Sequence, residues 1–87
     1  MDSFIIGGKR YDPETALILC RQTAPLEETT LFQSVKGAFF SVTVSGMDGT
    51  QTAQLLNRAQ ALEFLDANPC AVVEENYIKA FGEPEEG

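Results

Sequence analysis

The sequence contains no histidine and no tryptophan, only two cysteines, and six basic residues against thirteen acidic ones. Without histidine the chain lacks the commonest general base near neutral pH and the commonest transition-metal ligand, which removes most hydrolase and zinc constellations. No apolar run approaches the length of about 20 residues that spans a bilayer. Met1-Asp2-Ser3 opens with no basic region, apolar stretch or small-residue cleavage site, so no secretion signal is expected. A reducing, cytoplasmic setting follows, in which Cys20 and Cys70 are expected as buried thiols and not as a disulfide.

What is present is a folding composition with an excess of negative charge. Eighty-seven residues, 44% of them hydrophobic and six of them phenylalanine, suffice for one small core. One α+β domain is expected over residues 1–82, followed by a disordered acidic tail over 83–87. The net charge is −7 and it is uneven. Residues 1–56 hold six acids and four bases, or −2, and residues 57–87 hold seven acids and two bases, or −5. Such a surface repels phosphates, so direct nucleic-acid binding is disfavoured and basic protein partners are favoured.

Strand signals come first along the chain. Phe4-Ile5-Ile6 stops at Gly7-Gly8, a pair suited to a hairpin turn, and Lys9-Arg10-Tyr11 begins the return. Asp12-Pro13-Glu14 reads either as a type I turn or as the first turn of a brief helix. Ala16 to Arg21 is an apolar run of strand length, and Gln22 to Glu28 reads as a loop. Thr29 to Val35 and Ala38 to Val44 flank Lys36-Gly37 as a second hairpin. In its second arm Phe40, Val42 and Val44 alternate with Phe39, Ser41 and Thr43, predicting a sheet of about four antiparallel strands with one covered face.

The pattern then becomes helical. Ser45 to Thr52 reads as a flexible loop, and Asn57 as the N-cap of a helix carrying Ala61, Leu62, Phe64 and Leu65. Asn68-Pro69 is expected to start a second helix, with Val73, Tyr77 and Phe81 as its stripe and Gly82 as its C-cap. The two helices cover one face of the sheet and leave Glu63, Asp66, Glu74 and Glu75 toward water.

Few residues carry chemistry. Gly7-Gly8-Lys9 lacks the spacing of a phosphate loop and the Ser or Thr that would hold magnesium. Glu27-Glu28 and Glu74-Glu75 are neighbours whose side chains diverge, unlike paired catalytic carboxylates. Asp48 lacks the alternating ligands of a calcium loop, and Cys20 lies in an apolar run where a thiol stays protonated. No catalytic residue, metal or cofactor is assigned, and the chain is expected to bind and not to catalyse. Phe39 and Phe40 must point to opposite faces of a strand, so one ring is core and the other is either an exposed anchor for a partner or packed under a further element. The candidate partner-binding residues are therefore Glu63, Asp66, Glu74 and Glu75, whose carboxylates imitate the charge of a DNA backbone, together with Phe39.

Gly8-Lys9-Arg10-Tyr11-Asp12 with Glu14-Thr15-Ala16, then Leu31-Phe32, Lys36-Gly37-Ala38-Phe39-Phe40, Ala61-Leu62-Glu63-Phe64-Leu65 and Phe81-Gly82 carry a resemblance. They look like a group of small acidic proteins of phages and conjugative elements with a GKRYDTETA-like early motif. The chain departs from that group at Pro13 and Phe32 and over Ser45 to Thr52. The resemblance implies a mobile-element origin and, in a bacterial cytoplasm, inhibition of a host defence complex such as a CRISPR effector. The alternative expectation is a self-associating structural or regulatory module, a homodimer through a sheet face or edge strand.

Overall fold

The computed structural model describes residues 3–68 and 71–83, and they form an α+β arrangement of six strands and two helices in the order β1 (Phe4–Ile6), β2 (Lys9–Tyr11), β3 (Leu17–Thr23), β4 (Glu27–Gln33), β5 (Phe39–Ser45), β6 (Gln51–Leu56), α1 (Arg58–Ala67) and α2 (Glu74–Phe81). Strands β3 to β6 make a four-stranded antiparallel sheet in sequence order, and β1 and β2 make a separate two-stranded hairpin. Of the tail expected over residues 83–87, residues 84–87 lie outside the described residues, as does Cys70. No helix among the described residues is long and apolar enough to cross a membrane.

The β1–β2 turn forms where the Gly7-Gly8 pair predicts it, with both glycines at positive φ (59° and 80°), a conformation that a side chain would strain. Asp12-Pro13-Glu14 resolves as a turn and not a helix: the Asp12 carboxylate accepts from the Glu14 N–H at 2.9 Å, and the Thr15 N–H donates to the Asp12 carbonyl at 3.2 Å. Residues 22–28 are mostly strand, because β3 and β4 extend to a turn at 24–26 that is closed by the Ala24 N–H on the Glu27 carbonyl. The predicted loop from Ser45 to Thr52 shrinks to 46–50, and the residues after it form β6, which sequence reading missed. Gln51-Thr52-Ala53-Gln54 carries no strong β-former alternation, so its pairing with β5 supplies what its propensity does not.

Two clusters form the core, one on each face of the sheet. On the helix face Leu19, Cys20, Leu31 and Phe39 pack with Ala61 and Leu65 of α1 and with Tyr77 and Phe81 of α2. On the opposite face Phe32, Phe40 and Val42 pack with Tyr11, Phe4 and Ile6 of the hairpin. The helices cover one face as expected, but the other is covered as well, by β1 and β2. A bulge in β3 breaks the alternation between Ile18 and Cys20, so Leu19 and Cys20 both point into the helix-face cluster.

Asn57 caps α1 as its sequence predicts. Its side chain accepts from the Gln60 N–H at 2.8 Å, while the Gln60 side chain accepts from the Asn57 N–H at 2.9 Å, a reciprocal capping box. The second helix does not begin at Asn68. That residue ends α1, its side-chain amide donating to the Phe64 carbonyl at 2.9 Å, and α2 starts at Glu74. The shift has a physical cause in the edge of β3: Val72 bridges Cys20, the Val73 N–H donates to the Leu19 carbonyl at 2.9 Å, and Asn76 Nδ2 donates to the Ile18 carbonyl at 2.8 Å. Val73 therefore sits before the helix and is exposed, leaving Tyr77 and Phe81 as the packed stripe. Gly82 closes α2, its N–H on the Ile78 carbonyl.

Phe40 is fully buried at 0% exposure. Phe40→Ala is expected to cost about 3–5 kcal/mol, against the roughly 4–13 kcal/mol that a chain of this size holds in total. A urea titration followed by circular dichroism checks it, the variant's midpoint falling far below the parent's. Asn57→Ala, by contrast, is expected to lower stability by only about 1 kcal/mol, with the transition remaining cooperative.

Candidate functional site

The acidic residues singled out by sequence divide into two pairs on the helix layer. On α1, Ala61 and Leu65 are buried against the sheet, which leaves Glu63 and Asp66, three apart and so on one side of the helix, exposed to solvent. On α2, Glu74 and Glu75 are also exposed and occupy the first turn. They have a local role there as well. Val73 offers no side-chain cap, so the free N–H groups of this helix start are complemented by the two carboxylates alone. Glu75 also pairs with Lys79 Nζ at 3.6 Å, an exposed contact one turn along the helix.

Phe39 is not a surface anchor. Its ring is buried and lies parallel to Phe81, with centroids 5.2 Å apart and planes 4° off parallel. Phe40, on the other face, stacks on Phe32 at 5.1 Å and meets Tyr11 at 5.5 Å. Of the two alternatives for this pair, packing under a further element is the one seen, and it holds on both sides. The reason is that β5 is an interior strand with a layer on each face. The Arg58 guanidinium of α1 lies 4.9 Å from the centroid of the Phe81 ring.

A second charged feature was not legible in sequence. A cleft of about 420 Å³ opens between β2 and the β4–β5 turn, lined by Lys9, Arg10 and Lys36 with Tyr11, Val35 and Ser34. Half of the six basic residues thus gather on one opening, brought together only when the hairpin folds over the sheet. Among the described residues none of the three makes an ion pair. Carboxylates thus lie on the helix layer beside Arg58 and Lys79, and a basic cleft lies on the hairpin side, near Asp12 and Glu14 of the following turn.

Several other polar residues have structural partners. Glu28 pairs across strands with Arg21 at 3.3 Å. The Asp48 carboxylate accepts from the Thr50 N–H at 2.9 Å, and this backbone bond, with help from the Thr50 and Ser45 hydroxyls, holds its pKa below the ordinary carboxylate value. Among the described residues no group of three His, Cys, Asp or Glu side chains is placed to hold a metal ion. Cys20 is a free, buried thiol, and burial raises its pKa despite an opposing hydrogen bond from the Arg21 backbone.

A raised folded-state pKa means that ionisation favours the unfolded chain, so the Cys20 contribution to stability is complete below the unfolded value near 9.0 and is lost as pH rises through the folded one. In a Cys70→Ser background, the difference in unfolding free energy between parent and Cys20→Ala is expected to shrink above that pH, as measured by denaturant midpoints across an alkaline series. The native thiol is also expected to react with a thiol reagent only at the rate of unfolding. Comparison with known proteins returns no family: no protein-family model, no curated protein and no solved structure matches this chain.

Proposed function

We propose that this protein is a binding module of a phage or mobile element that inhibits a host nucleic-acid-targeting defence complex, a CRISPR effector being the leading case, by laying its acidic helix layer on a basic nucleic-acid channel. The observation that carries this reading is the segregation of charge. Glu63, Asp66, Glu74 and Glu75 are all exposed on the helix layer, four acids against the two bases Arg58 and Lys79 of the same helices. A surface of this kind releases the counterions of a basic groove as a nucleic acid does, and it competes for the same site. The basic cleft lies on the hairpin side of the sheet, opposite the helix layer.

The sheet serves as the rigid platform for this surface. Both helices pack on it through Leu65, Tyr77 and Phe81, while their acidic residues point away from it. Such docking needs no catalytic group. The sequence resemblance to small acidic mobile-element proteins supports the same reading, as does the shortage of groups suited to acid–base chemistry.

The test is a pull-down from a host lysate with mass spectrometry, repeated with competitor DNA. A nucleic-acid-binding defence protein is expected, displaced by DNA and weakened by salt. The variant Glu63→Lys, Asp66→Lys, Glu74→Lys, Glu75→Lys is expected to lose that capture. Reversal at the α2 start costs about 0.3–1 kcal/mol per residue through the helix dipole, so retention of the fold is checked by circular dichroism. Full capture by the folded variant rules out the charge mechanism.

A further inference from the structure

The two edges of the four-stranded sheet are treated differently. The outer edge of β3 is closed by the chain itself: it carries a bulge, it is bridged by Val72, and its Leu19 and Ile18 carbonyls are taken by Val73 and Asn76. The outer edge of β6 carries none of these bonds: β1 approaches the strand from the hairpin layer but pairs only with β2. The six residues of β6, Gln51-Thr52-Ala53-Gln54-Leu55-Leu56, include no charge, no proline and no bulge, the features by which edge strands are kept from pairing.

The turn before β6 fixes which of its backbone groups face outward. The Ser45 N–H donates to the Thr50 carbonyl at 2.9 Å and the Gly49 N–H to the Ser45 carbonyl at 2.9 Å, so Ser45 and Thr50 form a hydrogen-bonded position of the ladder. Such positions alternate along an antiparallel pair. Thr52, Gln54 and Leu56 therefore bond toward β5, and Gln51, Ala53 and Leu55 present their N–H and C=O groups to the open side. Among the described residues nothing accepts or donates to these outward groups.

We propose that β6 pairs antiparallel with β6 of a second copy, with Ala53 on the two-fold axis, to give an eight-stranded sheet. An isologous pair about an axis normal to the sheet must match residues that share a face. Centring on Ala53 does this and also meets the backbone pattern. It sets Ala53 against Ala53, Gln51 against Leu55, and Thr52 against Gln54, with every outward N–H and C=O of Gln51, Ala53 and Leu55 paired. No other centre within the strand gives both the shared face and as many outward bonds: one on Gln54 would put inward-bonded residues opposite each other. This inference rests on the sheet edge and is independent of the acidic helix layer.

The test is light scattering over a concentration series. The parent chain is expected to show a monomer–dimer equilibrium. Ala53→Pro removes an outward N–H that β5 does not use, which an edge strand tolerates, and Thr52→Lys with Gln54→Lys sets like charges opposite each other. Both variants are expected to dimerise at least roughly tenfold more weakly with unchanged circular dichroism. Mixing the double-lysine chain with Thr52→Glu, Gln54→Glu is expected to restore a heterodimer, since the opposed residues then carry opposite charges. A parent chain that stays monomeric to its solubility limit overturns the proposal, as does a dimer that the double-lysine change leaves intact.

Discussion

The arrangement depends on two adjacent aromatic rings in one interior strand. Consecutive residues of a strand point to opposite faces, so Phe39 and Phe40 place a large apolar ring on each side of β5 at the same height. Each ring needs a cover, and aromatic geometry shows which one it receives. Phe39 lies flat on Phe81 of α2, and Phe40 lies between Phe32 and Tyr11 under the hairpin. A three-layer build in so short a chain follows from this: hairpin, sheet and helices, with the sheet as the shared middle layer.

The bulge at Leu19 acts with this pair. By turning two consecutive residues of β3 to the same face, it supplies Leu19 and Cys20 to the helix-side core at the place where α1 ends and the chain must turn back. It also leaves the Leu19 and Ile18 carbonyls available to the segment that leads into α2. That segment is consequently extended, and α2 begins late enough for Phe81 to reach Phe39. Local irregularity in one strand thus sets the start of a helix far along the sequence.

The parts of the fold visible in the sequence were those governed by local chemistry. Gly7-Gly8 and Lys36-Gly37 marked hairpins, Asn57 with Gln60 marked a helix start, and Gly82 marked a helix end, since each requirement is met within a few residues. The parts that were hidden depend on partners distant in sequence. Strand β6 has weak propensity and exists through β5, the start of α2 is set by hydrogen bonds to β3, and the second layer over Phe40 comes from the far N-terminal side. The same division applies to the candidate surfaces. Glu63, Asp66, Glu74 and Glu75 were readable because helix periodicity places them, whereas the grouping of Lys9 and Arg10 with Lys36 arises only from tertiary folding. Phe39 was misjudged as a candidate anchor because a period of two indicates opposite faces without indicating which face is open.

The closed edge of β3 has a consequence for growth. A sheet that can accept a new strand on one side only cannot be added to repeatedly, because each incoming copy would bring its own sealed side outward. Polymerisation through cross-β stacking would require Val72, Val73 and Asn76 to be peeled from the strand they seal, and with them the attachment of α2 to the core. The same few hydrogen bonds that anchor the last helix therefore also close this edge of the sheet to strand addition.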